Sequence, residues 1–118
     1  MAAESRIRVA RVYEDAGPED GRRVLVDRMW PRGVRKDDPR VGTWCKDVAP
    51  SKGLREWYHH DRERFDEFAA RYREELLESP ALAELRKLTE RGVVTLVTAT
   101  REVDGSHAAV LAELLGAG

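Results

Sequence analysis

Short runs of apolar, mostly β-branched residues alternate with longer stretches in which apolar residues recur every three or four positions. The short runs predict three strands, at 6–13, 23–29 and 93–99. The longer stretches predict four helices, at 51–58 (with Ser51 as N-cap), 62–78, 80–91 and 107–115. The segment 41–48 fits either a short helix or an irregular connection.

The order of these elements predicts the fold. Helices join the second strand to the third, so these two strands should run parallel through a right-handed crossover. The eight residues 14–21 between the first two strands are short for a parallel crossover, which needs about 10–12 residues. The first two strands are therefore either antiparallel or parallel through a cramped connection. We expect one small α/β domain over 1–118, with about three strands in a mainly parallel sheet flanked by helices.

Composition fits this fold and excludes other classes of protein. Charged residues make up 36% and apolar residues 42% of the chain, which is typical of a globular rather than a disordered protein. No apolar run approaches the roughly 20 residues of a membrane span, and the first residues, MAAESRIRV, lack the apolar segment of a signal peptide. We therefore expect a cytoplasmic protein that does not bind membranes. The single cysteine, Cys45, excludes an internal disulfide and a cysteine-based zinc cage.

Charge is distributed unevenly along the chain. Residues 22–55 hold ten Arg or Lys against four acids, whereas 1–21 and 56–118 are both acidic. The basic segment is also rich in Trp, Pro and Gly, so its charge does not lie on a plain helix face. Two interpretations remain open: the basic segment pairs with the acidic helices, or it forms an anion-binding surface.

The strongest candidate site follows the second strand. Arg28, Arg32, Arg35 and Lys36 fall within nine residues at the expected carboxyl end of that strand, where open α/β sheets bind their ligands. Guanidinium groups suit phosphate or carboxylate, and Gly33 would let the backbone approach the ligand. The alternative is a solvated turn whose charges pair with nearby acids.

Further groups would complete such a site. Asp27 is either a catalytic carboxylate or a partner that orients Arg28. His60 and His107 each border a loop and are candidates for proton transfer. Positive charge and free backbone N–H groups at a helix start favour anions. The ligand-binding candidates besides Arg28, Arg32 and Lys36 are Trp30, Lys46, Ser51, Arg55 and Ser106.

We expect neither a metal site nor a cofactor. In the sequence HHD at 59–61 neighbouring side chains project in different directions, whereas a divalent ion needs three or four convergent ligands. The sequence contains no phosphate-loop, dinucleotide-fingerprint or nucleophile-elbow motif. Trp30, Trp44 and Trp57 either fill the core under irregular loops or form a stacking platform for bases.

Four sequence runs are specific enough to indicate a family: VLVDRMWPRGVRK, TWCKDVAPSKGLREWYHHD, RFDEFAARYREEL and GVVTLVTATREVDGSHAAVLAELL. In this order they resemble the domain of unknown function 488 family, YeaO-like branch, over about 6–115. The resemblance implies a small bacterial α/β protein and brings no established activity. A longer branch of the family places a Cys-His-Arg cluster after the corresponding last strand. Here Ser106, His107 and Ala108 stand at that place, so the resemblance transfers no thiol or arginine chemistry.

Three functional hypotheses follow. The first is a protein that binds a small phosphorylated or carboxylated ligand in a basic cleft, with acid/base or hydrolytic chemistry if it is an enzyme. The second is nucleic-acid binding through 22–57, which the pI near 6.3 and the acidic helices disfavour. The third is an interaction module that uses the helix at 62–78 and the last helix, as a monomer or a homodimer.

Overall fold

The computed structural model describes residues 7–59 and 61–117, in which four strands form one parallel sheet. The strands are β1 (Ile7–Arg11), β2 (Arg22–Leu25), β3 (Thr43–Trp44) and β4 (Val94–Thr98), in the spatial order β1-β4-β2-β3. The central strand β4 pairs with both β1 and β2 and is buried along its whole length. The predicted α/β class is confirmed, and β3 adds a two-residue edge strand to the three that the sequence predicts.

The antiparallel option for the first two strands is wrong, because both run parallel to β4, which lies between them. The connection 12–21 contains no helix, yet it is long enough to return to the start of β2. About ten extended residues reach roughly 33 Å. The return along β1 and across two strand spacings is only roughly 20 Å. A parallel arrangement therefore needs no helical crossover at this position.

The described residues form four helices that contribute to the main core: α1 (Lys52–Tyr58), α2 (Phe65–Leu76), α3 (Pro80–Thr89) and α4 (His107–Ala117). Ser51 and Ser79 cap α1 and α3, each accepting a hydrogen bond from the backbone N–H three residues later. The predicted helix at 62–78 begins as a 3-10 turn at Arg62–Arg64. The undecided segment 41–48 contains β3 and a second 3-10 turn, Lys46–Val48. Within 7–59 and 61–117 no helix is long and apolar enough to cross a membrane.

Both faces of the sheet are buried, and different structures cover them. Val24, Val26 and Leu96 face the main core, which the four helices cover. Leu25 and Val97 point to the opposite face, where irregular segments replace helices. The smaller cluster there consists of Val12, Leu25, Val34, Val41 and Val97. Irregular chain on this side brings the loop after β2 back over the sheet and shapes the cleft described below.

Part of the basic charge is used inside the fold. The buried guanidinium of Arg23 donates to the Asp20 carboxylate at 2.6 Å and to the carbonyls of Glu14 and Arg40 at 2.8 and 2.6 Å. Arg40 in turn binds Asp38, and this hydrogen bonding lowers the pKa of Asp38 to about 2. Internal pairing therefore accounts for Arg23 and Arg40, and the loop after β2 holds cations that it does not account for.

Candidate functional site

The carboxyl ends of β2 and β4 meet at Asp27. One oxygen of this carboxylate accepts a hydrogen bond from the Thr98 hydroxyl at 2.7 Å, and the other accepts from the Ala99 backbone N–H at 2.8 Å. His107, the first residue of α4, places its Nε2 3.1 Å from Asp27 Oδ1. The two strand ends that the sequence predicts as a ligand site are therefore joined by direct bonds.

Asp27 orients His107 rather than Arg28. Nε2 of His107 lies 3.1 Å from both Asp27 Oδ1 and the Val26 carbonyl oxygen. Both are acceptors, so the hydrogen-bond network assigns a proton to Nε2. Within the described chain Nδ1 has no hydrogen-bond partner, and Asp27 forms no ion pair with Arg28. The interpretation of Asp27 as a partner that orients Arg28 is therefore wrong.

The environment of Asp27 favours its charged form. Burial, the largest influence, raises the pKa of this carboxyl. The hydrogen bond and charge of His107, together with the bonds from Ala99 and Thr98, lower it by more. The pKa of Asp27 consequently lies below its ordinary value of 3.8, and the group is a carboxylate at neutral pH.

A cleft of about 500 Å³ opens above this pair, between α1 and the loops that follow β2 and β4. This volume lies in the range of small-molecule sites, roughly 300–1,000 Å³. Seven of the residues that the sequence predicts for a site line it: Asp27, Arg28, Trp30, Arg32, Arg55, Ser106 and His107. The predicted position at the strand ends is thus the position of this cleft.

Apolar and aromatic side chains form much of the cleft surface. Tyr58 and Phe68 are buried and stack with ring centroids 4.2 Å apart. The Tyr58 hydroxyl donates to the Gly105 carbonyl at 2.7 Å, which ties α1 to the loop before α4. Trp30 and Met29 add apolar surface on the other side, and Met29 is 70% exposed. The cleft therefore offers ring-sized apolar surface as well as charge.

Four cations line the cleft without an internal counter-charge. They are Arg28, Arg32, Lys52 and Arg55, and none has a carboxylate within ion-pair distance in the part of the chain that the structure describes. Arg28 is the most enclosed: its Nε is buried without an acceptor, and its terminal nitrogen reaches the Ala49 carbonyl at a long 3.4 Å. The acidic lining residues are Asp27 and Glu56, and Asp27 is bonded to His107. The cleft is therefore electropositive.

The remaining predicted residues lie elsewhere. Lys36 is exposed on the loop after β2, and the ammonium group of Lys46 lies over the Trp44 ring, 5.3 Å from its centroid. The N–H and hydroxyl of Ser51 both donate to Glu75, at 2.9 and 2.5 Å. A carboxylate of α2 thus occupies the helix start where the sequence predicts an external anion. His60 lies outside the described residues.

Sequence reasoning missed a polar stripe on α1. Lys52, Glu56 and His59 line the cleft beside Arg55. These four positions follow the spacing of neighbouring residues on one helical face. Leu54 and Tyr58, which are buried, fix the rotation of α1 that turns this stripe toward the cleft. The sequence does contain a signal for this stripe, because its polar residues recur with helical spacing on the face of α1 that the apolar residues leave open.

The three tryptophans do not form one surface. Trp30 meets Trp44 edge-on at 5.3 Å, and their indole N–H groups donate to the carbonyls of Val34 and Asp27. Trp57 contacts two guanidinium groups, those of Arg64 and Arg71, at 5.1 and 4.5 Å from its ring centroid. This separation does not favour a shared stacking platform for a nucleic-acid strand.

Two further features concern the possible metal ligands and the single thiol among the described residues. Within 7–59 and 61–117 no three His, Cys, Asp or Glu side chains converge on a point where a metal ion would bind. Burial, followed by the nearby charge of Asp47, raises the pKa of the Cys45 thiol. A raised pKa favours the protonated thiol, which is the less nucleophilic form.

Comparisons with known proteins identify close relatives. Residues 6–117 match the model of a family described as the inactive DUF488-N3 subclade. The chain is 76% identical over 115 residues to the uncharacterised protein Rv3073c of Mycobacterium tuberculosis, with 98% of each chain covered. It is 36% identical over 113 residues to the uncharacterised protein YeaO of Escherichia coli, with 92% of this chain and 96% of YeaO covered. No solved structure matches.

Proposed function

Because this chain belongs to the DUF488 family, in the subclade described as inactive, we propose that it binds a small phosphate- or carboxylate-bearing ligand without turning it over. The observation that carries the proposal is the set of four cations without carboxylate partners that line one cleft at the strand ends. Like charges held close together repel each other, and a bound anion would relieve that repulsion. Ligand binding at the carboxyl ends of parallel strands is also the general rule for such sheets.

Arg28 supports an oxyanion as the bound group. Its guanidinium is held at the base of α1 by the Ala49 carbonyl, and its buried Nε has no acceptor. A guanidinium presents paired N–H groups that match two oxygens of one phosphate or carboxylate. An anion bound here would satisfy a buried donor as well as a charge.

The start of α4 adds to the same preference. The Ser106 hydroxyl donates to the Val103 carbonyl instead of capping the helix. The first N–H groups of α4 therefore donate no hydrogen bond to this side chain. The positive end of the helix dipole lies at Ser106 and His107, which line the cleft. Together with the four cations, this end of the helix favours negative charge.

A second candidate is acid/base catalysis by His107, and one observation favours it. Asp27 fixes the Nε2–H tautomer of His107, which leaves Nδ1 without a partner in the described chain. A carboxylate that orients an imidazole is the arrangement that general bases use. Phosphorus NMR of phosphate-bearing ligands incubated with the protein separates the two functions: spectra without product signals favour binding alone, and new product signals favour catalysis.

Thermal unfolding in the presence of inorganic phosphate, pyrophosphate and citrate tests the binding proposal. At least one of these anions should raise the Tm in proportion to the logarithm of its concentration. Arg28→Met and Arg55→Met should abolish the rise, and Arg91→Gln, which removes an exposed charge at the opposite end of the sheet, should retain it. A Tm that no anion changes, or a rise that survives Arg28→Met, would contradict the proposal.

A further inference from the structure

Resting on the anion-binding function proposed above, we infer that the ligand is a nucleotide carrying at least two phosphates, that is, a nucleoside diphosphate or a related compound. The phosphates bind the cations beside α1, the base lies on the apolar surface of the cleft, and Glu56 accepts hydrogen bonds from the ribose or the base. Three features of the cleft support this class of ligand over a bare anion.

The first feature is the amount of positive charge. Arg28 contacts the backbone just before α1, and Lys52 and Arg55 belong to α1, so these three cations share one wall of the cleft. Arg32 lies on the loop after β2, where its carbonyl accepts the Tyr13 hydroxyl at 3.0 Å. A single phosphate carries about two negative charges at most. A diphosphate group matches the charge and the extent of this wall better than a monophosphate.

The second feature is Glu56, the acidic lining residue that, unlike Asp27, is not bonded to His107. It lies one turn from Lys52 and beside Arg55, yet it forms no ion pair with any residue of the described chain. A carboxylate only accepts hydrogen bonds, so it repels a purely anionic ligand and favours one that carries hydrogen-bond donors. Ribose hydroxyls and exocyclic base amines are donors. A fully ionised pyrophosphate offers none.

The third feature is the apolar surface. Met29, which is 70% exposed, and Trp30 border the cleft opposite the buried rings of Tyr58 and Phe68. A small anion would leave this surface in contact with water. A planar base would cover it, because aromatic and thioether side chains pack well against flat rings. The volume of about 500 Å³ accommodates such a ring together with its phosphates.

A single small ligand fits these features better than a nucleic-acid strand. The cleft is bounded by α1 on one side and the loops after β2 and β4 on the other, and Trp44 and Trp57 do not line it. A strand needs successive stacking surfaces along an open groove. One base with its phosphates needs one ring surface and one cluster of cations, which the cleft provides.

Isothermal titration calorimetry on the full chain tests the inference. The ligands are pyrophosphate, ribose 5-phosphate, ADP, GDP, CDP, UDP and a short single-stranded oligonucleotide. We expect pyrophosphate to bind and at least one nucleoside diphosphate to bind about tenfold more tightly or better. Glu56→Gln should weaken the binding of that nucleoside diphosphate, because it removes a carboxylate that accepts its hydrogen bonds. The same change should strengthen the binding of pyrophosphate, because it removes a repelling charge. Glu90→Gln, an exposed change at the end of α3, should alter neither affinity.

The outcomes distinguish this inference from the function on which it rests. If pyrophosphate binds and no nucleoside diphosphate binds more tightly, the nucleotide inference is overturned, and the proposed anion site is retained. Tighter binding of ribose 5-phosphate or of the oligonucleotide than of every nucleoside diphosphate would also overturn it, in favour of those classes. If neither pyrophosphate nor any nucleotide binds, the inference and the anion site fail together. Circular dichroism of both variants confirms that each is folded before the titrations are compared.

Discussion

His107 Nε2 lies 3.1 Å from Asp27 Oδ1, and this contact joins the start of the last helix to the end of the second strand. The same carboxylate binds Thr98 and Ala99 at the end of β4. Asp27 therefore holds together three elements that converge on the cleft. A group in this position contributes to the stability of the fold as well as to the geometry of the site.

The stability of the protein should depend on the ionisation of Asp27. Its pKa is lower in the folded chain than in the unfolded chain, where the ordinary value of 3.8 applies. The stabilisation is therefore present above the unfolded pKa and is lost as the pH falls through the lower, folded pKa. Asp27→Asn should lower the free energy of unfolding at neutral pH by about 1–3 kcal/mol and make the acid limb of the stability profile shallower.

Urea unfolding between neutral and acidic pH measures this effect. Asp66→Asn serves as the control, because Asp66 is exposed and its carboxylate forms no ion pair within the described residues. An unchanged acid limb in Asp27→Asn would show that this carboxylate does not carry the pH dependence.

Arg23→Met should be strongly destabilising. The substitution would leave the Asp20 carboxylate and the carbonyls of Glu14 and Arg40 without their donor in a buried place. Breaking a buried ion pair from one side costs about 3–5 kcal/mol. Arg8→Met is the matched control: Arg8 lies 3.8 Å from the same Asp20 but is half exposed, and it should cost about 0–1 kcal/mol. Equal losses of unfolding free energy for the two variants would contradict this account.

Tyr72→Phe should destabilise the fold, because it removes one buried hydroxyl group. The Tyr72 hydroxyl donates to the Val48 carbonyl at 2.5 Å, and the side chain is fully buried. Removing it leaves a buried carbonyl unsatisfied, at about 1–3 kcal/mol. Tyr13→Phe removes an exposed hydroxyl bond to the Arg32 carbonyl and should change stability by about 0.5 kcal/mol or less. Chemical denaturation compares the two, and a loss in the Tyr13 variant as large as that in Tyr72→Phe would refute the prediction.

Two glycines should respond to alanine in opposite directions. Gly42 has φ +70° just before β3, and an added Cβ would lie 2.2 Å from the Arg23 carbonyl oxygen, so Gly42→Ala forces the backbone to move. Gly53 is in α1 with open space around it, so Gly53→Ala should raise the unfolding free energy by about 0.5–1 kcal/mol. The Tm of each variant measures the change. A stabilised Gly42→Ala protein would falsify the close approach described here.

The sequence predicted those features that depend on local pattern. Alternation and β-branching located β1, β2 and β4, and Ser51 and Ser79 marked the starts of α1 and α3. The position of the cleft followed from the rule that parallel strands present their carboxyl ends on one side of the sheet. That rule placed Asp27 and His107 near each other without any knowledge of the tertiary contacts.

Features that depend on distant contacts were beyond the sequence. The sequence predicts that Ser51 begins a helix whose start is open to an external anion. In the folded protein the Glu75 carboxylate of α2 occupies that position. The sequence predicts Lys46 as a cation available to a ligand, whereas in the structure its ammonium group lies over the Trp44 ring. The helical spacing of Lys52, Arg55 and Glu56 is visible in the sequence, but the cleft that they face is not, because α1 and two loops build it together. The buried residues of a helix determine its rotation, and that rotation determines which of its charged side chains line the cleft.

The spatial order β1-β4-β2-β3 also determines when this protein can fold. During synthesis β1 and β2 leave the ribosome early, but the strand that separates and pairs with both follows only after α1, α2 and α3. Until then β1 has no partner strand among the described elements, and β2 has only the two-residue strand β3 beside it. A chain truncated before Val94 would lack the strand that joins β1 to β2, so we expect such a fragment not to form the sheet or the cleft at its end.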